Sequence, residues 1–147
     1  ARGRGRGDRI EPRPFLGPWP LLLGCPPFGI STADAFRRWG ERLTLPGNGV
    51  SVSCLSAHKW PKENDFRFLV NDLEGVVFEV RPELQRFRDA LLAAGARGAL
   101  LSGSGSTVYG VFPGRRRLDA ALRELRRQFP RWRILASRAV EGAAHLT

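Results

Sequence analysis

Methionine is absent from this 147-residue chain, lysine occurs only at positions 59 and 62, and cysteine and histidine appear twice each. The missing methionine fits a chain whose beginning lies upstream of Ala1, although an initiator removed before Ala1 leaves the same trace. Cys25 and Cys54 lie far apart and make neither a CxxC pair nor a zinc spacing with His58 and His145. That pattern argues against a zinc module or a disulfide framework and predicts buried, reduced thiols, with no metal site assigned. No apolar run approaches the roughly 18 residues of a membrane helix; the longest, around 21–23 and 90–94, are far shorter. The opening "ARGRGRGDRIEPRP" is charged where a secretory signal needs an apolar centre. The expectation is a soluble, cytoplasmic protein with no membrane partner.

What the chain has instead is arginine, which supplies nearly all of a net charge of +10. Such a surface attracts polyanions, whether nucleic acid, nucleotides or acidic lipid. The arginines are scattered along the whole chain beside an excess of Ala, Gly and Pro, so a compositional habit of the source explains them as well as a dedicated nucleic-acid surface does. A phosphorylated small molecule would be drawn in equally. With 42% hydrophobic residues, the chain has material for one core and one folded unit.

Residues 1–14 are polar and rich in Gly and Arg, readable as a flexible tail or as an edge strand cut from something larger. "PLLLGCP", residues 20–26, is a proline-bounded apolar run and predicts a buried strand. In "GISTADAFRRWGERL" a helix follows, capped by Thr32 or Ser31, with Phe36, Trp39 and Leu43 on one face. Residues 44–65 carry turn residues without a sustained period and predict a long surface excursion. "NDLEGVVFEV" starts a helix through an N-terminal box of Asn71 and Glu74, with Leu73, Val76, Val77 and Val80 on one side. "RPELQRFRDALLAAG" then has Pro82 for a first turn, Leu84, Phe87 and Leu91 at helical spacing, and Gly95 as terminator. After Gly114 a helix bears Leu118, Ala121, Leu122, Leu125 and Phe129 on one face and ends at Pro130. "WRILASRAV" closes as a strand with Trp132, Ile134 and Ala136 alternating against polar neighbours.

Between the third and fourth of these helices stands "LLSGSGSTVYGVF", two strand-like runs separated by glycines and serines. This predicts an antiparallel hairpin. A Walker loop or a Rossmann turn runs from strand into helix, and the GK[ST] ending is missing, so neither nucleotide fingerprint is present. Phosphate contacts would come from turn amides and the hydroxyls of Ser102, Ser104 and Ser106. Taken alone, such a hairpin is an ordinary tight turn. Strand, helices, hairpin, helix and strand together predict an α+β sandwich: a ferredoxin-like antiparallel sheet with helices on one face.

"NDLEGVVFEVRPELQRFRDALLAAGARGALLSGSGSTVYGVF" resembles the C-terminal half of the 4-diphosphocytidyl-2-C-methyl-D-erythritol kinase family, within the galactokinase, homoserine kinase, mevalonate kinase and phosphomevalonate kinase (GHMP) superfamily. "GRGRGDRIEP" and "GISTADAF" fall in the order of that family's GRGE-type strand and (V/I)(S/P)T segment. The resemblance spans nearly the whole chain and is weakest over 45–66. It implies a GHMP kinase C-terminal domain over 15–147, with 1–14 an edge strand or remnant of an N-terminal kinase domain, the expected partner in the same parent chain. It also implies transfer of the ATP γ-phosphoryl, with Mg²⁺, to the 2-hydroxyl of a cytidine-diphosphate-linked methylerythritol in non-mevalonate isoprenoid biosynthesis.

Carried onto this sequence, Ser102, Gly103, Ser104, Gly105 and Ser106 resemble the superfamily's third motif, beside the ATP phosphate loop. Phe36 resembles the aromatic that stacks on cytosine, and Thr32 a threonine of the same pocket. Without the resemblance, Phe36 reads as a core residue in register with Trp39, Thr32 as a helix cap, and Asn71 as a cap with no chemistry. The family's PxxxGLGGGSSxAA segment, its catalytic aspartate and its N-terminal lysine have no counterpart here. The expectation is therefore a C-terminal part with no catalytic residue of its own, inactive in isolation. The alternative is an arginine-rich ferredoxin-like module for RNA or another polyanion, disfavoured because the hairpin strands lack an aromatic-rich RNA-stacking pattern.

Overall fold

A computed structural model describes residues 2–4, 9–11, 17–43, 66 and 69–139. The predicted excursion over 44–65, together with Cys54, His58 and His145, lies outside the described residues, as does the side chain of Leu43. Strands β1 (Arg2–Arg4) and β2 (Arg9–Glu11) form a separate antiparallel ribbon. The remaining elements are β3 (Pro20–Cys25), α1 (Thr32–Leu43), α2 (Glu74–Val80), α3 (Pro82–Ala93), β4 (Gly98–Leu101), β5 (Val108–Val111), α4 (Arg115–Gln128) and β6 (Arg133–Arg138). β3 to β6 make one antiparallel sheet in the order β4-β5-β3-β6. The βαββαβ order and the interleaved strands are those of a ferredoxin-like sandwich, as the sequence predicts.

Alternation along the strands divides the sheet into two faces. Leu22, Leu101, Val108 and Ile134 point into the core beneath Leu84, Phe87 and Leu91 of α3 and Leu118, Ala121 and Leu125 of α4. The opposite face carries Leu21, Leu23, Leu100, Tyr109 and Val111, with Trp19 and Phe66 meeting edge to face, 4.9 Å between ring centres. Phe66 lies over Gly98, where an added Cβ would come within 2.7 Å of it.

At Gly24, α3 comes close to β3 through a single ring. A Cβ built on Gly24 would stand 2.1 Å from the Phe87 ring. Phe87 therefore occupies the volume a side chain at position 24 would need. The same ring stacks on Trp132 at 4.5 Å and meets Phe129 edge to face at 4.9 Å. Aromatic pairs of this kind contribute about 0.5–1.5 kcal/mol each beyond area burial.

Three sequence expectations change in detail. The helical period puts Val80 on the buried side of α2, but it leaves 47% of its surface exposed while Phe78 is buried. The seven residues of α2 are too few for an extended stripe, and its buried side is Val76, Val77 and Phe78. Ala136 is exposed on the edge strand β6, where Ile134 alone is fully buried. Cys25 is free, as expected, but only half-buried, its Sγ 3.6 Å from Thr107 Oγ1.

Because Phe87 is fully buried and its neighbours are rings rather than flexible chains, Gly24→Ala should destabilise the fold by roughly 1–3 kcal/mol through overpacking. Denaturant unfolding monitored by tryptophan fluorescence checks this; an unchanged midpoint would show that α3 can shift away from the sheet.

Candidate functional site

The loop between β4 and β5 is a compact turn. Ser102 N–H donates to Thr107 O at 2.9 Å, closing the hairpin, and Gly105 N–H donates back to Ser102 O at 3.0 Å. Gly103 (φ 57°) and Gly105 (φ 92°) adopt left-handed backbone conformations that favour glycine. Their surroundings differ. A Cβ on Gly105 would press on Ile30 and Leu101 at 3.1 Å, whereas one on Gly103 would meet nothing within 4 Å. The N–H groups of Gly103, Ser104 and Ser106 donate to no partner among the described residues. Successive unpaired amides in a turn, flanked by hydroxyls, form a concave donor set suited to an anion.

The start of α1 borders this loop. Ser31 caps the helix, its Oγ accepting from Asp34 N–H at 3.2 Å, which leaves the Thr32 hydroxyl for other work. Thr32 Oγ1 and Ser104 Oγ share a hydrogen bond at 2.8 Å across 72 residues of sequence. One helical turn on, Phe36 leaves 54% of its surface exposed while Ala35 turns inward at 3% and Trp39 packs on the core. The reading of Phe36 as a core residue therefore does not hold. Residues four apart lie on one side of a helix, so Phe36 extends the same side of α1 as Thr32.

Two residues that sequence reasoning treated as a helix cap hold the loop from the other side. Asn71 Oδ1 accepts from Leu73 N–H at 3.1 Å, and its Nδ2 donates to Leu101 O at 3.0 Å and to Gly103 O at 2.7 Å. Glu74 does not reach back to Asn71, as a capping box requires; its Oε1 accepts from Leu101 N–H at 2.7 Å, and its Oε2 pairs with Arg88 at 3.3 Å. In the register of the hairpin, Leu101 turns its N–H and C=O away from β5, toward the open edge of the sheet. The two side chains supply what a neighbouring strand would have supplied. A partner about 30 residues away leaves no trace in local periodicity, which is why the spacing of Asn71 and Glu74 suggested only a cap.

No group of three or more His, Cys, Asp or Glu among the described residues is arranged to hold a metal ion. No described helix is long and apolar enough to cross a membrane. The exposed arginines are distributed over several elements, and many are paired: Arg37 with Asp34 and Glu41, Arg42 with Glu79, Arg115 with Asp119.

Residues 51–131 match the family described as GHMP kinases C terminal. The chain belongs to that family. Among curated proteins it is similar to the 4-diphosphocytidyl-2-C-methyl-D-erythritol kinase of Thermodesulfovibrio yellowstonii, 36% identical over 123 residues, covering 81% of this chain and 43% of the relative. It is also similar to the kinase of that name from Pelotomaculum thermopropionicum, 38% identical over 114 residues, covering 76% of this chain and 39% of the relative. The chain thus spans well under half the length of these relatives. Among solved structures, a 4-(cytidine 5'-diphospho)-2C-methyl-D-erythritol kinase superposes with a TM-score of 0.64 and 29% identity, over 92% of this chain and 48% of that one. A homoserine kinase from Cytophaga hutchinsonii superposes at a TM-score of 0.57 and 15% identity over 83% of this chain, a likeness of fold alone. The α+β sandwich described above is the fold of this GHMP kinase C-terminal family.

Tyr109, on β5 behind the loop, gives a direct probe of this region. Burial, and secondarily the Glu74 carboxylate, hold its phenol above the ordinary tyrosine range. It is the only tyrosine in the chain, so its absorbance titration is unambiguous. The titration should run above the pH of about 10 found for free tyrosine, and Glu74→Gln should move it partway back. The unfolded phenol ionises first, so this contribution to stability is complete below about pH 10 and is lost as pH rises through the folded midpoint. A midpoint at or below that of free tyrosine would contradict the burial of the Tyr109 ring.

Proposed function

We propose that this chain is the C-terminal part of a small-molecule kinase that transfers the γ-phosphoryl of ATP to the 2-hydroxyl of 4-diphosphocytidyl-2-C-methyl-D-erythritol, a step of isoprenoid biosynthesis in the cytoplasm. The names of the curated relatives and of the solved structure support the choice of acceptor. The observation that carries the site is the Thr32–Ser104 hydrogen bond, which joins the Ser-Gly loop to the helix that bears the exposed Phe36. In this reading residues 15–147 are the C-terminal kinase domain, and residues 1–14 belong with the N-terminal domain of the same parent.

Phe36 stacks on the cytosine, Thr32 lines the same pocket, and residues 102–106 face the phosphates. The unpaired amides of Gly103, Ser104 and Ser106 suit phosphate oxygens, since backbone N–H groups are fixed donors that need no reorganisation as charge develops. ATP with Mg²⁺ supplies the transferable phosphoryl group in the full-length parent. The loop and α1 bind and orient; they provide neither a group to act on the acceptor hydroxyl nor a metal-ligating cluster. Phosphoryl transfer depends on positioned charge around the γ-phosphate, and one wall of a pocket does not assemble it. The purified 147-residue chain should show no turnover of ATP and the cytidylated acceptor above a no-enzyme control.

Binding is the test of the site. Calorimetric titration with cytidine diphosphate should show weak binding that Phe36→Ala reduces by about 1–3 kcal/mol, the range for base stacking on an aromatic. The melting temperature should not change, because this ring is exposed. Affinity unaffected by Phe36→Ala would remove Phe36 from the pocket. Affinity that collapses with added salt and extends to unrelated RNA would favour the polyanion module instead.

A further inference from the structure

We propose that Asn71 is a positioning residue for the Ser-Gly loop, fixing Gly103 so that Ser104 meets Thr32 and the turn amides face the ligand. The inference rests on the reading of that loop as the phosphate-facing wall and adds a residue to it that the motif resemblance does not supply.

The argument begins with what does not hold Gly103. Its backbone is left-handed and a Cβ there would point into open space, so nothing packs against it on that side. Its neighbour Gly105, by contrast, is wedged against Ile30 and Leu101. The Gly103 carbonyl is instead held by Asn71 Nδ2 at 2.7 Å, the shorter of the two bonds that nitrogen donates. Covering the β4 edge needs only the bond to Leu101 O; the bond to Gly103 O reaches beyond the strand into the turn. The amide orientation is fixed by its partners, because a flipped group would set Oδ1 against two carbonyl oxygens. Asn71 itself is anchored by the Leu73 N–H. A continuous path then runs from Asn71 through the Gly103 carbonyl to Ser104 Oγ and Thr32 Oγ1, at the foot of the helix turn that carries Phe36.

Asn71→Asp separates the two halves of this side chain. The aspartate keeps an acceptor for Leu73 N–H but has no donor for the two carbonyls and sets a negative charge against them. Three quantities decide the matter on the full chain: exchange of the Gly105 amide, the cytidine diphosphate dissociation constant, and the melting temperature. Asn71→Asp should leave the chain folded with its melting temperature lowered by roughly a few degrees, speed Gly105 amide exchange on the order of tenfold, and weaken cytidine diphosphate binding on the order of tenfold. Asn71→Ser keeps a hydroxyl acceptor for Leu73 N–H and serves in place of the aspartate should that variant not fold. Loop exchange and affinity both unchanged in a folded variant would overturn the proposal. So would faster loop exchange with unchanged affinity, since the side chain would then order the turn without serving the ligand. Failure of the unaltered chain to bind cytidine diphosphate would count against the nucleotide reading of the loop. Exchange at Gly105 would then decide whether Asn71 positions the turn.

Discussion

The absence of a side chain at Gly24 is the constraint from which the rest follows. It admits the Phe87 ring against β3, and that ring, sandwiched with Trp132 and Phe129, seats α3 on the sheet. Only Arg81 separates α3 from α2, so the seat of one helix sets the place of the other. The turn leading into α2 consequently lies along the open edge of β4, where Asn71 and Glu74 meet the free peptide groups of Leu101. A residue chosen for close packing in the core thus determines, through two helices, the shape of a loop at the surface.

That edge arrangement solves a structural problem and prepares a functional one. An unpaired edge strand presents donors and acceptors to any passing chain, and side-chain caps remove the hazard without adding a strand. Here one of these caps, Asn71, extends into the adjoining turn, so a device that closes the sheet also holds a donor-rich loop in place. Glu74 is bound on both oxygens, to Leu101 N–H and to Arg88, whose guanidinium in turn lies 5.1 Å over the Phe78 ring. The apolar underside of α2 and its polar start are therefore tied together. In the function proposed above, this loop is one wall of a kinase pocket.

The fold was largely legible in the sequence because its signals are local. Prolines bound β3, Pro82 and Gly95 frame α3, and the serine-glycine run between two apolar segments can hardly be anything but a hairpin. Burial on the short elements was less legible: Val80 fits the helical period yet is exposed, as the last residue of α2. Phe36 fits the period of α1 yet faces outward, since the small Ala35 takes the buried position. The contact between Thr32 and Ser104 was foreshadowed only by resemblance; nothing in either segment's own pattern joins them. The local pattern shows Asn71 as a cap alone for the same reason, its bonds to Leu101 and Gly103 being to residues some 30 positions later.

The central claim is that α1 and the Ser-Gly loop border one ligand-binding cleft. The most direct test is titration of the isotopically labelled 147-residue chain with cytidine diphosphate, followed by amide chemical shifts. The account predicts that the largest shifts fall together on residues 32–36 and 102–106, saturating at one ligand concentration. Shifts confined to the arginines along α4, or movement of either segment without the other, would contradict it.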